Sequence, residues 1–113
     1  MEQIKQLINK EDTLMMIVQE QHTASYVGSG DMMVLATPIM IAMMENVAMV
    51  MLSRVLEQSQ SSVGVEINCK HTKATALGAK VSATAKVAKV EGRRVDFVIT
   101  ACNEAGETIG EAT

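Results

Sequence analysis

The sequence predicts an α+β domain in which a curved antiparallel sheet of about five strands wraps around one long helix. Three observations carry that prediction. Ala36 to Gln58 is the only stretch long and apolar enough to form a buried helix. The pattern after it switches from a continuous apolar run to strict alternation, the period of half-buried strands. Turn signals at Glu91-Gly92 and from Asn103 to Gly106 join the later runs into consecutive antiparallel strands. A sheet with one apolar face must cover it, and the helix is the one available cover.

The chain has 113 residues, the size of one ordinary domain spanning residues 1–113. Its 48% of hydrophobic residues is ample for a core, but the core lacks rings: ten Met stand beside one Phe, one Tyr and no Trp. Volume must come from Met, Val, Ile and Ala, and Met adapts to irregular gaps. Close Ala-rich packing and self-association are the ways to build a firm interior from such pieces. A net charge of −3, with both signs spread along the chain, gives no electrostatic case for nucleic acid or an anionic membrane. Two cysteines, Cys69 and Cys102, make no disulfide framework, and the charged start MEQIKQLINKED lacks the apolar segment of a signal peptide. A reduced, cytoplasmic setting is the expectation. The run Ile39–Leu52 is too short for a membrane span, which needs ~18 or more apolar residues.

In chain order, residues 1–12 read as a weak helical turn with Ile4, Leu7 and Ile8 apolar. Thr13 to Tyr26 suits a strand, buried at first and exposed later. Gly28 and Gly30 mark a loop, a turn or lid rather than a phosphate-binding loop, because no Lys-Ser/Thr follows. Met32–Ala36 leads into the helix, expected over about residues 38–58. Thr37 stands at its boundary as a capping hydroxyl, and Pro38 takes the first helical position, where its missing N–H costs nothing. Apolar residues on all sides of this helix imply that it is enclosed. After it, Val63, Val65, Ile67, Cys69 and His71 share one strand face. Val81, Ala83, Ala85 and Val87 share a face of the next strand, and Val95, Phe97, Ile99 and Ala101 a face of the one after. Glu107–Thr113 supplies a last short strand.

Between Ile39 and Leu52 every residue is apolar except Glu45 and Asn46. Burying an unpaired carboxylate there would be costly or would drive it to neutrality, so Glu45 is either hydrated at a cleft or held by partners such as Asn46. Two His and two Cys without a tight cluster argue against a zinc site. His22 reads as a solvated strand end, Cys69 as a small buried hydrophobe, and Lys70, Lys73, Arg93 and Arg94 as solvated strand charges.

Three segments, in order and with characteristic spacing, carry a family resemblance. They are VLATPIMIAMMENVA (Val34–Ala48), SSVGVEINCKHTKATALGAKV (Ser61–Val81) and VEGRRVDFVITACNEAGETIGEAT (Val90–Thr113). Together they resemble the fluoroacetyl-CoA thioesterase-like branch of the hotdog-fold thioesterases. The resemblance implies a catalytic set of Thr37, Glu45 and His71. It also implies substrate contacts from Gly64, whose backbone N–H can face the thioester, and from Pro38 and Asn46. It implies a homodimer or higher hotdog assembly holding acyl-CoA between subunits, with no metal and no cofactor beyond the CoA of the substrate.

Eight helical residues rise ~12 Å, so Thr37 and Glu45 cannot bond directly along one helix. Either His71 or water bridges them, or the residues of one site come from two subunits. The expected activity is hydrolysis of a small or medium acyl-CoA, with Glu45 as general base or as nucleophile. The alternative is a hotdog protein that binds acyl-CoA or another small ligand without turning it over. A hydratase ranks below both, because no Asp-x-x-x-x-His pattern is present. The fluoroacetyl-specific member resembles a site with aromatic walls, whereas this chain offers only Tyr26 and Phe97. The family continues past Thr113 with His and Arg positions, so the final strand is expected to be short.

Overall fold

A computed structural model describes residues 2–113, leaving Met1 of the expected domain outside the description. Its elements are α1 (Glu2–Lys5), β1 (Glu11–Ile17), a 3-10 turn (Glu20–His22), α2 (Ala24–Val27), α3 (Thr37–Ser53), β2 (Cys69–His71), β3 (Lys80–Glu91), β4 (Arg94–Asn103) and β5 (Thr108–Ala112). The strands form one antiparallel sheet in the order β1-β3-β4-β5-β2. The helix α3 packs against one face of the sheet, touching β1, β3 and β4.

Side-chain size explains how a core without large rings closes. Met40, Met43, Met44, Val47 and Met51 recur at helical spacing on the buried side of α3. They meet the inward face of the sheet, where Val81, Ala83, Ala85 and Val87 of β3 and Ile99 and Ala101 of β4 are buried. Small Ala on the sheet leaves room for long, pliable Met from the helix. The fit is tightest at Gly110 of β5. A Cβ there would stand 2.6 Å from Met40 Sδ and 3.1 Å from the Lys70 carbonyl, so the helix rests on a strand position that carries no side chain.

The helix corrects two expectations. It ends at Ser53, not near residue 58, where the Ser53 hydroxyl donates back to the Val50 carbonyl at 2.7 Å and Arg54 pairs with Asp12. It is also enclosed on one side only. Thr37, Pro38, Ala42, Glu45, Asn46 and Met49 form an exposed strip, because a single sheet can cover only one face of a helix.

The strands bring further corrections. β1 stops at Ile17, and the residues up to Tyr26 turn through short helices instead of continuing the strand. The alternating run from Val63 joins the sheet only at β2, which lies beside β5 at the sheet edge rather than beside β3. Residues 63–67 run on past the end of β5, leaving Val63 and Val65 84% and 88% exposed. The two turns occur where expected, with Gly92 and Gly106 at positive φ of 61° and 81°.

Met44 is fully buried against the sheet. Met44→Ala should therefore lower unfolding free energy by about 2–5 kcal/mol, measured by chemical denaturation.

Candidate active site

The entrance to α3 positions the first pair of polar groups. Ala36, not Thr37, is the N-cap, with extended backbone (φ −72°, ψ 139°) and no capping side chain. Thr37 is the first helical residue and Pro38 the second, one step later than the sequence suggests. The Thr37 hydroxyl is thus released from capping, and it lies 2.7 Å from His71 Nδ1. His71 is held by the pairing of β2 with β5, opposite Gly110.

Burial pushes the His71 imidazole below the ordinary histidine range, and the adjacent Lys73 backbone opposes this without making a well-formed hydrogen bond. The ring is therefore neutral near pH 7 and carries one proton, so either group of the Thr37–His71 pair can be the donor. Its other nitrogen, Nε2, is buried and without a partner. The positive end of α3 favours any negative charge that develops beside Thr37.

Glu45 lies two turns further along the exposed strip, with no hydrogen bond to Thr37 or His71 among the described residues. Its carboxylate rests against the chain at Gly64, where a Cβ would stand 2.7 Å from Oε2. A side chain at Gly64, which does not adopt a positive φ, would push this exposed carboxylate aside. Asn46 and Pro38 are exposed on the same strip, and Asn46 makes no hydrogen bond to Glu45. The structure thus joins Thr37 to His71 and Glu45 to Gly64, as two pairs at separate points along one helix.

Several other candidates have ordinary surroundings. His22 Nδ1 accepts a hydrogen bond from the Gln19 N–H at 3.0 Å. Cys69 packs its sulfur 3.9 Å from Met44 Sδ, and burial pushes its thiol pKa up, away from nucleophilic thiolate. Lys73 pairs with Glu107, lowering that carboxyl group, and Arg94 pairs with Asp96 at 3.0 Å. Beside the entrance, residues 23–35 form an arch tied at its base by Ala24 N–H to the Val34 carbonyl and Ala36 N–H to the His22 carbonyl. Its outer part exposes Tyr26, Val27, Met32 and Met33. Thr75, which no sequence pattern distinguishes, is 5% exposed and its hydroxyl lacks a partner.

A family model described as fluoroacetyl-CoA-specific thioesterase matches residues 18–113. A fluoroacetyl-CoA thioesterase of Streptantibioticus cattleyicolor is 35% identical over 80 residues, which span 71% of this chain and 57% of that protein. A solved fluoroacetyl-CoA thioesterase superposes with a TM-score of 0.85 at 27% identity, over 93% of this chain and 82% of the other. A thioesterase superfamily member from Thermus thermophilus gives 0.86 at 26% identity, over 93% and 77%. The sheet wrapped on α3 is the hotdog fold.

The lowered His71 pKa has a consequence for stability. As pH falls from the ordinary histidine value toward the lower folded one, the unfolded chain takes up this proton first. The contribution is complete above that window and declines through it. An NMR titration should place the His71 midpoint below 6.5, with thermal stability falling over the same range.

Proposed function

The chain belongs to the fluoroacetyl-CoA-specific thioesterase family, and from that membership we propose that it hydrolyses small or medium acyl-CoA thioesters. The observation that carries this reading is the Thr37–His71 hydrogen bond at the mouth of α3, with the Glu45 carboxylate open on the same strip. A thioester needs modest apparatus, because its carbonyl is electrophilic and its thiolate leaves readily. Oxyanion donors, a carboxylate and a proton carrier are sufficient.

In the proposed reaction Glu45 removes a proton from water, whose oxygen attacks the thioester carbonyl carbon. Alternatively the Glu45 carboxylate attacks directly, and water hydrolyses the resulting anhydride. The tetrahedral intermediate expels the CoA thiolate as the C–S bond breaks. In the first route the thiolate receives the proton that Glu45 took from water, directly or through His71; in the second it leaves unprotonated and takes up the proton released when water hydrolyses the anhydride. Thr37 positions the nucleophile or the carbonyl, and the backbone N–H of Gly64 polarises the carbonyl. Pro38 and Asn46 border the bound acyl group along the exposed strip. No metal or further cofactor enters this scheme.

The two pairs belong to one reaction most simply if two subunits contribute to each site. The exposed strip of α3 supports a homodimer, because the apolar residues there stay uncovered in a single chain. Two free cysteines, Cys69 and Cys102, fit a cytoplasmic setting. Tyr26 stands on the exposed arch and Phe97 is half-buried in β4, so the proposed substrate class is not restricted to fluoroacetyl-CoA.

Thiol release over a panel of short and medium acyl-CoAs tests the activity. Glu45→Gln and His71→Ala should each lower turnover by roughly a hundredfold while the thermal melt stays cooperative. Full activity in Glu45→Gln would refute the role of the carboxylate. Thermal stabilisation by acyl-CoA with thiol release at the background rate would identify a binding protein instead. Met49→Asp, on the exposed strip, should shift the sedimentation behaviour from dimer toward monomer and lower turnover in parallel.

A further inference from the structure

Two side-chain atoms are buried without a hydrogen-bond partner among the described residues, His71 Nε2 and Thr75 Oγ1. They belong to one short segment that is fastened at both ends to the residues leading into α3. At one end His71 Nδ1 meets the Thr37 hydroxyl at 2.7 Å. At the other, the Leu35 N–H donates to the Thr75 carbonyl at 2.8 Å. Between them the N–H groups of Thr72 and Lys73 both donate to the Ile109 carbonyl, at 2.8 and 3.2 Å, curling the loop over β5. Thr75 is 5% exposed, so its hydroxyl has no route to bulk solvent, and a buried polar group of this kind is ordinarily satisfied.

We propose that Thr75 is a positioning residue for His71, its hydroxyl linked to Nε2 through one internal water that fixes which ring nitrogen carries the proton. Internal waters in polar sites make about three hydrogen bonds, enough to serve the hydroxyl, the ring nitrogen and the adjacent Lys73 backbone. With Nε2–H donating into this link, Nδ1 must accept, and the Thr37 hydroxyl then donates to it. The link therefore holds the Thr37 proton on the line to His71 and leaves the Thr37 oxygen lone pairs toward the open strip. The catalytic consequence rests on the thioesterase reading, whereas the tautomer does not.

Nitrogen-15 NMR of the His71 ring in the intact protein tests the assignment at a pH where the ring is neutral. The wild type should show the proton on Nε2. Thr75→Val, which keeps the shape and removes the hydroxyl, should move the ring shifts toward a mixed tautomer, and Thr75→Ser should restore them. Turnover should fall about tenfold in Thr75→Val through misplacement of His71, and return to within about twofold of wild type in Thr75→Ser. A wild-type ring protonated at Nδ1 overturns the proposal, whether or not the variants fold. Unchanged ring shifts in folded Thr75→Val also overturn it. A moved tautomer in a protein that hydrolyses no acyl-CoA would sustain the link and remove the enzymatic reading alone.

Discussion

The packing of methionines from α3 into an alanine-lined sheet is the contact on which the rest of the molecule depends. Met40, Met44 and Val47 are fully shielded, and Ala83, Ala85 and Ala101 face them from the strands. With one Phe, one Tyr and no Trp in the chain, no ring could span a wider gap between the layers. The helix must therefore lie close to the sheet, close enough that Gly110 can bear no side chain beneath Met40. That approach sets the height of the Thr37 end of α3 over β2 and β5, and so brings Thr37 within reach of His71.

Local choices at the helix mouth then leave a side-chain hydroxyl free to meet a ring nitrogen. An extended Ala36 does the work of the N-cap through its backbone alone, leaving the Thr37 hydroxyl available for a ring nitrogen. Burial keeps that ring neutral, the state in which it can both accept and donate a proton. Glu45 needs the opposite environment and has it, on the strip of α3 that the sheet does not cover. Gly64 permits the carboxylate to lie against the chain where any side chain would displace it. One helix thus presents a shielded imidazole partner at its start and a solvated carboxylate two turns on.

The open strip of α3 occurs on the same side of the architecture as Glu45. An α+β layer closed on one face and open on the other leaves apolar surface that association would cover. This also accounts for a helix whose composition is apolar all round although one side of it is bare in a single chain.

Alternation and punctuation in the sequence determined the class of the fold, because period-two runs, a proline at a helix entrance and glycines in tight turns act within a few residues of themselves. The five strands, a helix entrance at Thr37-Pro38 (one residue off in its cap), and the turns at Gly92 and Gly106 were legible for that reason. The separation of Thr37 from Glu45 was legible too, since helical rise is a local property. Tertiary structure alone decided where α3 stops, that β2 lies beside β5, and that Asn46 leaves Glu45 unpaired, because each depends on chain segments distant in sequence. It also decided that the Thr37 hydroxyl serves His71 rather than the helix, and that Thr75 is buried. Nothing in the neighbours of Thr37 distinguishes a capping hydroxyl from one that meets a histidine 34 residues away in sequence; only the closure of β2 onto β5 brings the two groups together.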